Sequence, residues 1–145
     1  MSNNEINLII EEFNSYSQFS DIDIAKIVDF EIGYAYRIAS FAIENKFLKI
    51  NLLRGIMDTI RRIESSKNDW YKKRIEFYLL KPRFAVAVTK KVISPEIYDV
   101  IIAAMNLVDV NIDDNKKNFK NFKYFVYVFE SIIAYYKFLL EAKDV

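Results

Sequence analysis

Apolar residues recur every three or four positions along most of the chain, which is the period of a helix that buries one face. In the first third this pattern predicts helices over about residues 4–16 and 21–45, the second capped by Ser20 or Asp21. Gly33 lies inside the second predicted helix, at a cost of about 1 kcal/mol relative to alanine. We expect both helices to bury one face in a common core.

The rest of the chain continues the helical pattern. Helices are predicted over about 52–65 with Asn51 as N-cap, over 70–80 and, after a kink or restart at Pro82, over about 83–92, then over 95–108 and over 118–142. Ser94 followed by Pro95 is a typical helix start, and SSKND and NIDDNKKN are polar connections. We therefore predict an all-α fold, a compact bundle of five or six helices in a single domain, 1–145.

The composition agrees with this fold and excludes the enzyme mechanisms that need cysteine or histidine. Apolar residues make up 52% of the chain, which has two glycines, two prolines, no cysteine and no histidine. Thiolate nucleophiles, Cys or His zinc sites and the commonest general base at neutral pH are therefore absent. We expect no catalytic residue, no cofactor and no metal. A metal held by carboxylates alone is the one enzymatic alternative.

Neither a membrane segment nor a secretion signal is indicated. The longest uncharged run is residues 100–108, far short of the roughly 20 residues that cross a bilayer. The first twelve residues carry acidic side chains and no basic cluster of the kind that opens a signal peptide. We expect a cytoplasmic protein without membrane contact.

Charge is distributed unevenly, although the net charge is only +1. Residues 1–45 hold two basic and eight acidic side chains, 46–91 hold thirteen and four, and 92–145 hold six and eight. The middle third is thus strongly basic. Its candidate phosphate-binding side chains are Arg54, Arg61, Arg62, Lys81, Arg83, Lys90 and Lys91.

Arginine forks and lysine point charges suit binding of a phosphate backbone without reading of bases. Ala87 lies between Arg83 and the following lysines, and a small side chain there would allow a backbone to approach closely. The alternative is a solvated helix face on which Asp58 pairs with Arg54 or Arg62, four residues away on either side.

The aromatic residues give three further expectations. Phe77 and Phe84 are assigned to the core, whereas Trp70 and Tyr71, beside a loop and among cations, are left open between core and base stacking. The last helix is apolar over more than half of its circumference, so Tyr124, Tyr127 and Tyr135 on its other side are predicted to form a protein interface. Glu130 in the same helix is expected to be buried and paired with an arginine of the 52–65 helix, rather than catalytic.

Three sequence blocks, in order, resemble a known family. Leu48, Leu53 and Arg54 precede an arginine-rich helix, LLKPRFA occupies 79–85, and FVYVFESIIAYYKF occupies 125–138. In this order they resemble the small subunit of type III-A CRISPR effector complexes, the Csm complex, over about residues 46–142. Departures from the family pattern are Lys49, Leu52, Val86 and Ser131.

The resemblance implies a helical subunit that does not cleave RNA. It implies several copies stacked as an inner filament along the guide RNA and its target RNA, in contact with other Csm subunits and with itself. Two alternatives remain: a helical protein-protein scaffold that binds no RNA, and the equivalent small subunit of the type III-B complex.

Overall fold

A computed structural model describes residues 3–45, 48–66 and 69–143, apart from the side chains of the first and last of these. Within them the chain forms eight α-helices and two short 3₁₀ helices. They are α1 (Asn3–Ser15), η1 (Phe19–Asp21), α2 (Ile24–Val28), α3 (Tyr34–Asn45), η2 (Ile50–Leu53), α4 (Arg54–Glu64), α5 (Trp70–Tyr78), α6 (Leu80–Thr89), α7 (Pro95–Met105) and α8 (Asn115–Lys143). No strand occurs among these residues, and the one β-bridge joins Leu48 to Ile93.

The all-α prediction is confirmed, but the number of helices exceeds the predicted five or six. Seven of the helices have nine or more residues. The main error concerns residues 21–45, which form a 3₁₀ turn and two helices instead of one helix. Asp23, not Ser20 or Asp21, caps α2 by accepting a hydrogen bond from the Ala25 amide at 3.0 Å.

The break between α2 and α3 depends on Gly33. A Cβ at this position would lie 2.7 Å from the backbone nitrogen and oxygen of Asp29 and 2.9 Å from the carbonyl of Ile27. Glu31 in the same turn has a φ of 68°, which a helix does not allow. Gly33 therefore makes a tight turn possible, where the sequence pattern had placed it inside a helix.

The predicted helix starts in the middle of the chain have mixed outcomes. Asn51 is not an N-cap, because it lies within η2 and α4 begins at Arg54 without a side-chain cap. The predicted interruption is present but lies earlier in the chain: α5 ends at Tyr78 and α6 begins at Leu80, three residues before the expected restart at Arg83. Pro82 thus lies in the first turn of α6, where backbone amides lack helical acceptors and a proline removes no hydrogen bond.

Other boundaries agree more closely with the sequence. Ser94 caps α7 by accepting a hydrogen bond from the Ile97 amide at 3.2 Å, with Pro95 as the first helical residue. Lys67 and Asn68 of the predicted SSKND connection lie outside the described residues.

The long helix α8 forms the centre of the core and packs mainly against α3. Phe77 and Phe84 are buried as predicted, and Trp70, which the sequence left open, is fully buried as well. The ring of Phe122 in α8 lies 5.4 Å from that of Trp70 and 5.6 Å from that of Phe77, centroid to centroid. These contacts fix α5 against α8. None of the helices in the described ranges is both long and apolar enough to span a membrane.

A polar cluster around Asp109 completes the attachment of α5. The Asp109 carboxylate accepts hydrogen bonds from Trp70 Nε1 at 2.8 Å, Arg74 Nη2 at 2.7 Å and the Tyr78 hydroxyl at 2.7 Å. Burial by itself raises the pKa of Asp109, but these three hydrogen bonds outweigh it and hold the pKa below its usual value. Arg74 is therefore a structural cation whose charge is already neutralised.

Candidate nucleic-acid interface

The outer face of α4 carries three exposed arginines, Arg54, Arg61 and Arg62. Arg54 and Arg61 lie two turns apart on this helix, and both are exposed. Together with Lys137 of α8 they line a cavity of about 170 Å³ between the two helices. Lys137 was not among the predicted binding residues, although it belongs to the third sequence block, so its place in that motif was a usable signal.

Arg83 reaches this face from α6. Its Nη1 donates a hydrogen bond to Thr59 Oγ1 at 2.6 Å, and Thr59 Oγ1 in turn donates to the Gly55 carbonyl at 3.2 Å. Because Thr59 is buried, this contact holds the guanidinium of the exposed Arg83 beside α4. The two predicted blocks that contain Arg54 and Arg83 therefore meet at one surface.

Gly55 is a small residue of α4 that lies beside Arg83. It is exposed, and the one atom near a Cβ built on it is Arg83 Nη2, at 3.2 Å. Ala87, which we had predicted to be the small exposed residue among the cations, is only 7% exposed and belongs to the core, so that prediction is wrong. Gly55 directly follows Arg54 and is one of only two glycines, a signal that was available in the sequence.

The alternative to phosphate binding was a solvated helix face on which Asp58 pairs with Arg54 or Arg62, and the structure does not show those pairs among the residues that it describes. Asp58 forms an ion pair with neither Arg54 nor Arg62 in the part of the chain that the structure describes. Arg62 instead lies 3.5 Å from Glu76 of α5, measured from Nη2 to Oε1. Since this pair is largely exposed, with 55% and 34% of the two side chains accessible, it holds Arg62 only weakly.

Lys90 and Lys91 lie at the C-terminal end of α6, and both are exposed. Lys90 is exposed and lines, with Arg83, a second cavity of about 400 Å³ between α4 and α6. Lys91 is exposed at the end of α6 with a φ of 58°, in a turn closed by the Val92 amide donating to the Ala87 carbonyl at 2.8 Å. This is a Schellman-type helix end with lysine where glycine is usual.

Lys81 is directed away from this group. Its Nζ lies 3.4 Å from Asn106 Oδ1 and 5.5 Å from the centroid of the Tyr78 ring. It lines neither of the cavities beside α4. The structure thus places Arg83 and Lys90 beside Gly55, in the cavity between α4 and α6, and leaves Arg54, Arg61 and Arg62 exposed elsewhere on α4 and Lys81 apart. We call Arg54, Arg61, Arg62, Arg83 and Lys90, together with Gly55, the α4 face.

Glu130 contradicts our expectation. The side chain is exposed, and among the described residues no ion pair reaches it. Its charge acts on Glu64 at the end of α4: burial and the neighbouring Glu130 carboxylate together raise the pKa of Glu64. The expectation of a buried carboxylate failed because the wide apolar stripe of α8 still leaves one narrow polar edge.

The three α8 tyrosines predicted to form an interface, Tyr124, Tyr127 and Tyr135, do not form one uniformly exposed stripe. Tyr127 is 40% exposed, and its ring centroid lies 5.8 Å from that of the half-buried Tyr124. Tyr135 is covered by Phe30 and Tyr36, and its hydroxyl donates a hydrogen bond to the Val28 carbonyl. Tyr135 therefore already packs within its own chain.

Fold and surface define a small helical protein with an arginine-rich helix face. In the described ranges no group of three or more acidic side chains is placed to hold a metal ion. The family model Csm2 Type III-A matches residues 26–141, and the chain belongs to this family. It is the family of the small subunit of type III-A CRISPR complexes, rather than the type III-B equivalent.

The family match begins at residue 26, within α2, and so extends into a region where the sequence blocks gave no resemblance. No curated protein and no solved structure matched the chain.

Proposed function

We propose that this chain is a non-catalytic subunit that binds the backbone of guide RNA and target RNA through the α4 face. The observation that carries this proposal is that α4 presents the exposed Arg54 and Arg61, while Arg83 of α6 lies beside the exposed Gly55 of the same helix. Membership of the Csm2 family supports it, because that family belongs to an RNA-guided complex. In such a complex base pairing supplies the sequence specificity, and a protein surface needs only to hold phosphates.

The contacts around Gly55 suit a phosphate. Arg83 is held in place by Thr59 through Nη1, which leaves its other guanidinium nitrogens available to a ligand. Gly55 has no side chain, and the Arg83 guanidinium occupies the space beside it, so a phosphate that approaches this part of α4 meets Nη2 of Arg83. A preorganised arginine loses less side-chain freedom on binding than an unrestrained one.

The lysines near α4 are assigned by the same reasoning. Lys90 and Lys91 extend the basic surface beyond α4, and Lys137 closes its opposite edge. Lys81 contributes least, because it faces Asn106 and Tyr78. Stacking of several copies along the RNA, with the acidic first third of one copy near the basic third of the next, fits the uneven charge distribution.

The test is a salt titration of RNA affinity in the assembled complex and in the isolated chain. For single-stranded RNA each phosphate contact contributes about −0.7 to the slope of log K against log salt. The double variant Arg61→Glu with Arg83→Glu should therefore lower the affinity and make the slope shallower by about 1.4. RNA sequences of different composition should bind within a few-fold of one another.

The matched control is Lys26→Glu with Lys116→Glu, two exposed lysines that line neither cavity of the α4 face. This variant makes the same change in net charge and should alter the slope much less. If both double variants behave alike, only net charge matters and the α4 face is not the site. An unchanged affinity and slope for the arginine variant would remove RNA binding from this surface.

A further inference from the structure

A row of exposed apolar residues runs along the outer side of α5 and α6. Tyr71 is 71% exposed, Ile75 64%, Leu79 57% and Val86 49%, and Pro82 between the last two is exposed as well. Tyr71, Ile75 and Leu79 recur every four residues along α5 and its C-cap, and Pro82 and Val86 are four residues apart on α6, so each set lies on one side of its own helix. We call these five residues the α5–α6 ridge.

The ridge is not part of the core. The opposite side of α5 and α6 supplies the buried residues Trp70, Phe77, Leu80 and Phe84, which attach both helices to the rest of the protein. The ridge is therefore a second apolar side on helices that are already anchored. A contiguous exposed apolar surface of this kind is characteristic of a protein contact.

The α4-side end of the ridge leads into an open cavity. Pro82 and Val86 line the space of about 400 Å³ between α4 and α6, together with Leu52, which is 65% exposed. An apolar side chain of a partner can enter there between the two helices. Such a pocket beside an apolar row is typical of surfaces that bind a helix.

The charges beside the ridge indicate the chemistry of the partner. Residues 70–90 hold six basic side chains. Lys72, Lys73 and Arg74 each lie within 4.0 Å of a carboxylate, whereas Lys81, Arg83 and Lys90 have no ion pair in the described part of the chain. Glu76 already lies within 3.5 Å of both Arg62 and Lys73. A partner surface with flanking carboxylates would complement this charge, whereas a basic one would be repelled.

RNA suits the ridge less well than protein. Single-stranded RNA is held by aromatic rings on which bases stack. Only Tyr71 of the five ridge residues is aromatic, and aliphatic Ile75, Leu79 and Val86 offer no such platform. Removal of these side chains from water by an apolar partner surface is favourable, at roughly 25 cal/mol per Å².

We propose that the α5–α6 ridge binds an amphipathic helix of another protein, one whose apolar stripe is flanked by Asp and Glu. Tyr71, Ile75 and Leu79 alone cover about two helical turns of α5 and its C-terminal end, so the partner helix needs at least that length. The ridge adjoins the α4 face, because Pro82 and Val86 line the same cavity as Gly55, Arg83 and Lys90, whereas Tyr71, Ile75 and Leu79 line neither cavity of that face.

The experiment places a photo-crosslinking amino acid at Ile75 or at Leu79. The complex is assembled from the co-expressed type III-A subunits and a guide RNA, irradiated, and analysed by mass spectrometry. A crosslinker at Leu8, an apolar residue of α1 that is 48% exposed, serves as the matched control. We expect both ridge positions, and not Leu8, to mark one helical segment of another subunit with acidic residues beside its apolar stripe.

A second measurement uses the double variant Ile75→Asn with Leu79→Asn. Both side chains are exposed in the isolated chain, so the melting temperature should change little. Co-purification with the other subunits should fall roughly tenfold or more, as expected when central apolar contacts are lost. The affinity and salt slope for free RNA should stay at the wild-type value, which separates this proposal from the one for the α4 face.

Four results would overturn the proposal. They are crosslinks to RNA alone, crosslinks to a second copy of this chain, crosslinks to a segment without an acidic excess, and co-purification unchanged by the double variant.

Discussion

At the scale of single residues, Gly55 and Asp109 each determine where one arginine side chain lies. Gly55 leaves room for the guanidinium of Arg83, and Asp109 neutralises Arg74 and removes it from the exposed basic surface. The same residue type, arginine, is therefore available to a ligand on α4 and structural on α5. The spacing of residues along the sequence does not distinguish these two roles, because it does not say how far each arginine lies from a carboxylate elsewhere in the chain.

Replacement of Gly55 by alanine should separate stability from binding. Alanine restricts the unfolded chain, so the free energy of unfolding should rise by about 0.4–1 kcal/mol. The added Cβ lies 3.2 Å from Arg83 Nη2 and displaces the guanidinium, so RNA affinity should fall. Urea denaturation and an RNA titration measure the two effects. An unchanged RNA affinity at raised stability would contradict a role for the space at Gly55.

Asp109→Asn tests the cluster that attaches α5. Loss of the charged acceptor should lower the free energy of unfolding at pH 7 by roughly 1–3 kcal/mol. Because the folded-state pKa of Asp109 lies below the unfolded one, its contribution is complete above the unfolded value of about 3.9 and disappears as pH falls through the folded pKa.

The stability difference between wild type and Asp109→Asn should therefore narrow below about pH 4. Urea denaturation at a series of pH values measures this difference. Asp113→Asn, an exposed change in the same connection, is the control and should have little effect at any pH. A difference that stays constant down to pH 2 would contradict the proposed ionic contribution.

At the scale of secondary-structure elements, the α2–α3 turn and the start of α6 decide how the helices are arranged. Hydrophobic periodicity continued through residues 29–33 and so predicted one helix, whereas Gly33 and the positive φ of Glu31 interrupt it. Near Pro82 and at Ser94 the sequence did indicate that one helix ends and another begins, because proline and an N-cap serine are strong local signals. It was insufficient where the turn depends on a close backbone approach.

Gly33→Ala should have the opposite sign to Gly55→Ala. The new Cβ would lie 2.7 Å from the Asp29 backbone, so the turn must shift, at a cost of roughly 1–3 kcal/mol. Thermal unfolding of the two variants side by side is the measurement, and each acts as the control of the other. A stabilised Gly33→Ala protein would indicate that α2 and α3 join into the continuous helix predicted from sequence.

At the scale of the whole molecule, three surfaces have different chemistry. The α4 face is basic, the α5–α6 ridge is apolar with basic flanks, and the outer side of α8 carries Tyr127 and Glu130. A subunit that stacks along RNA needs separate surfaces for RNA, for other subunits and for its own copies. We assign the first two above and expect α8 to contribute to the third.

Tyr127→Ala should reduce self-association, because Tyr127 is the most exposed of the three α8 tyrosines. Light scattering across a concentration series measures the average mass. Tyr71→Ala, a change of equal size on the ridge, is the control and should leave that mass unchanged. If the mass responds to Tyr71→Ala and not to Tyr127→Ala, the copies meet through the ridge instead.

The sequence alone determined the all-α class, most helix boundaries after residue 50, the apolar core of α5 to α8 and the basic middle third. These features depend on local periodicity, on capping residues and on composition, all of which are readable along one chain. Only the tertiary structure decided that Arg83 donates a hydrogen bond to Thr59, that Ala87 is buried and that Glu130 is exposed. Those outcomes depend on the distances between helices, which are set by packing and not by the spacing of residues within any one helix.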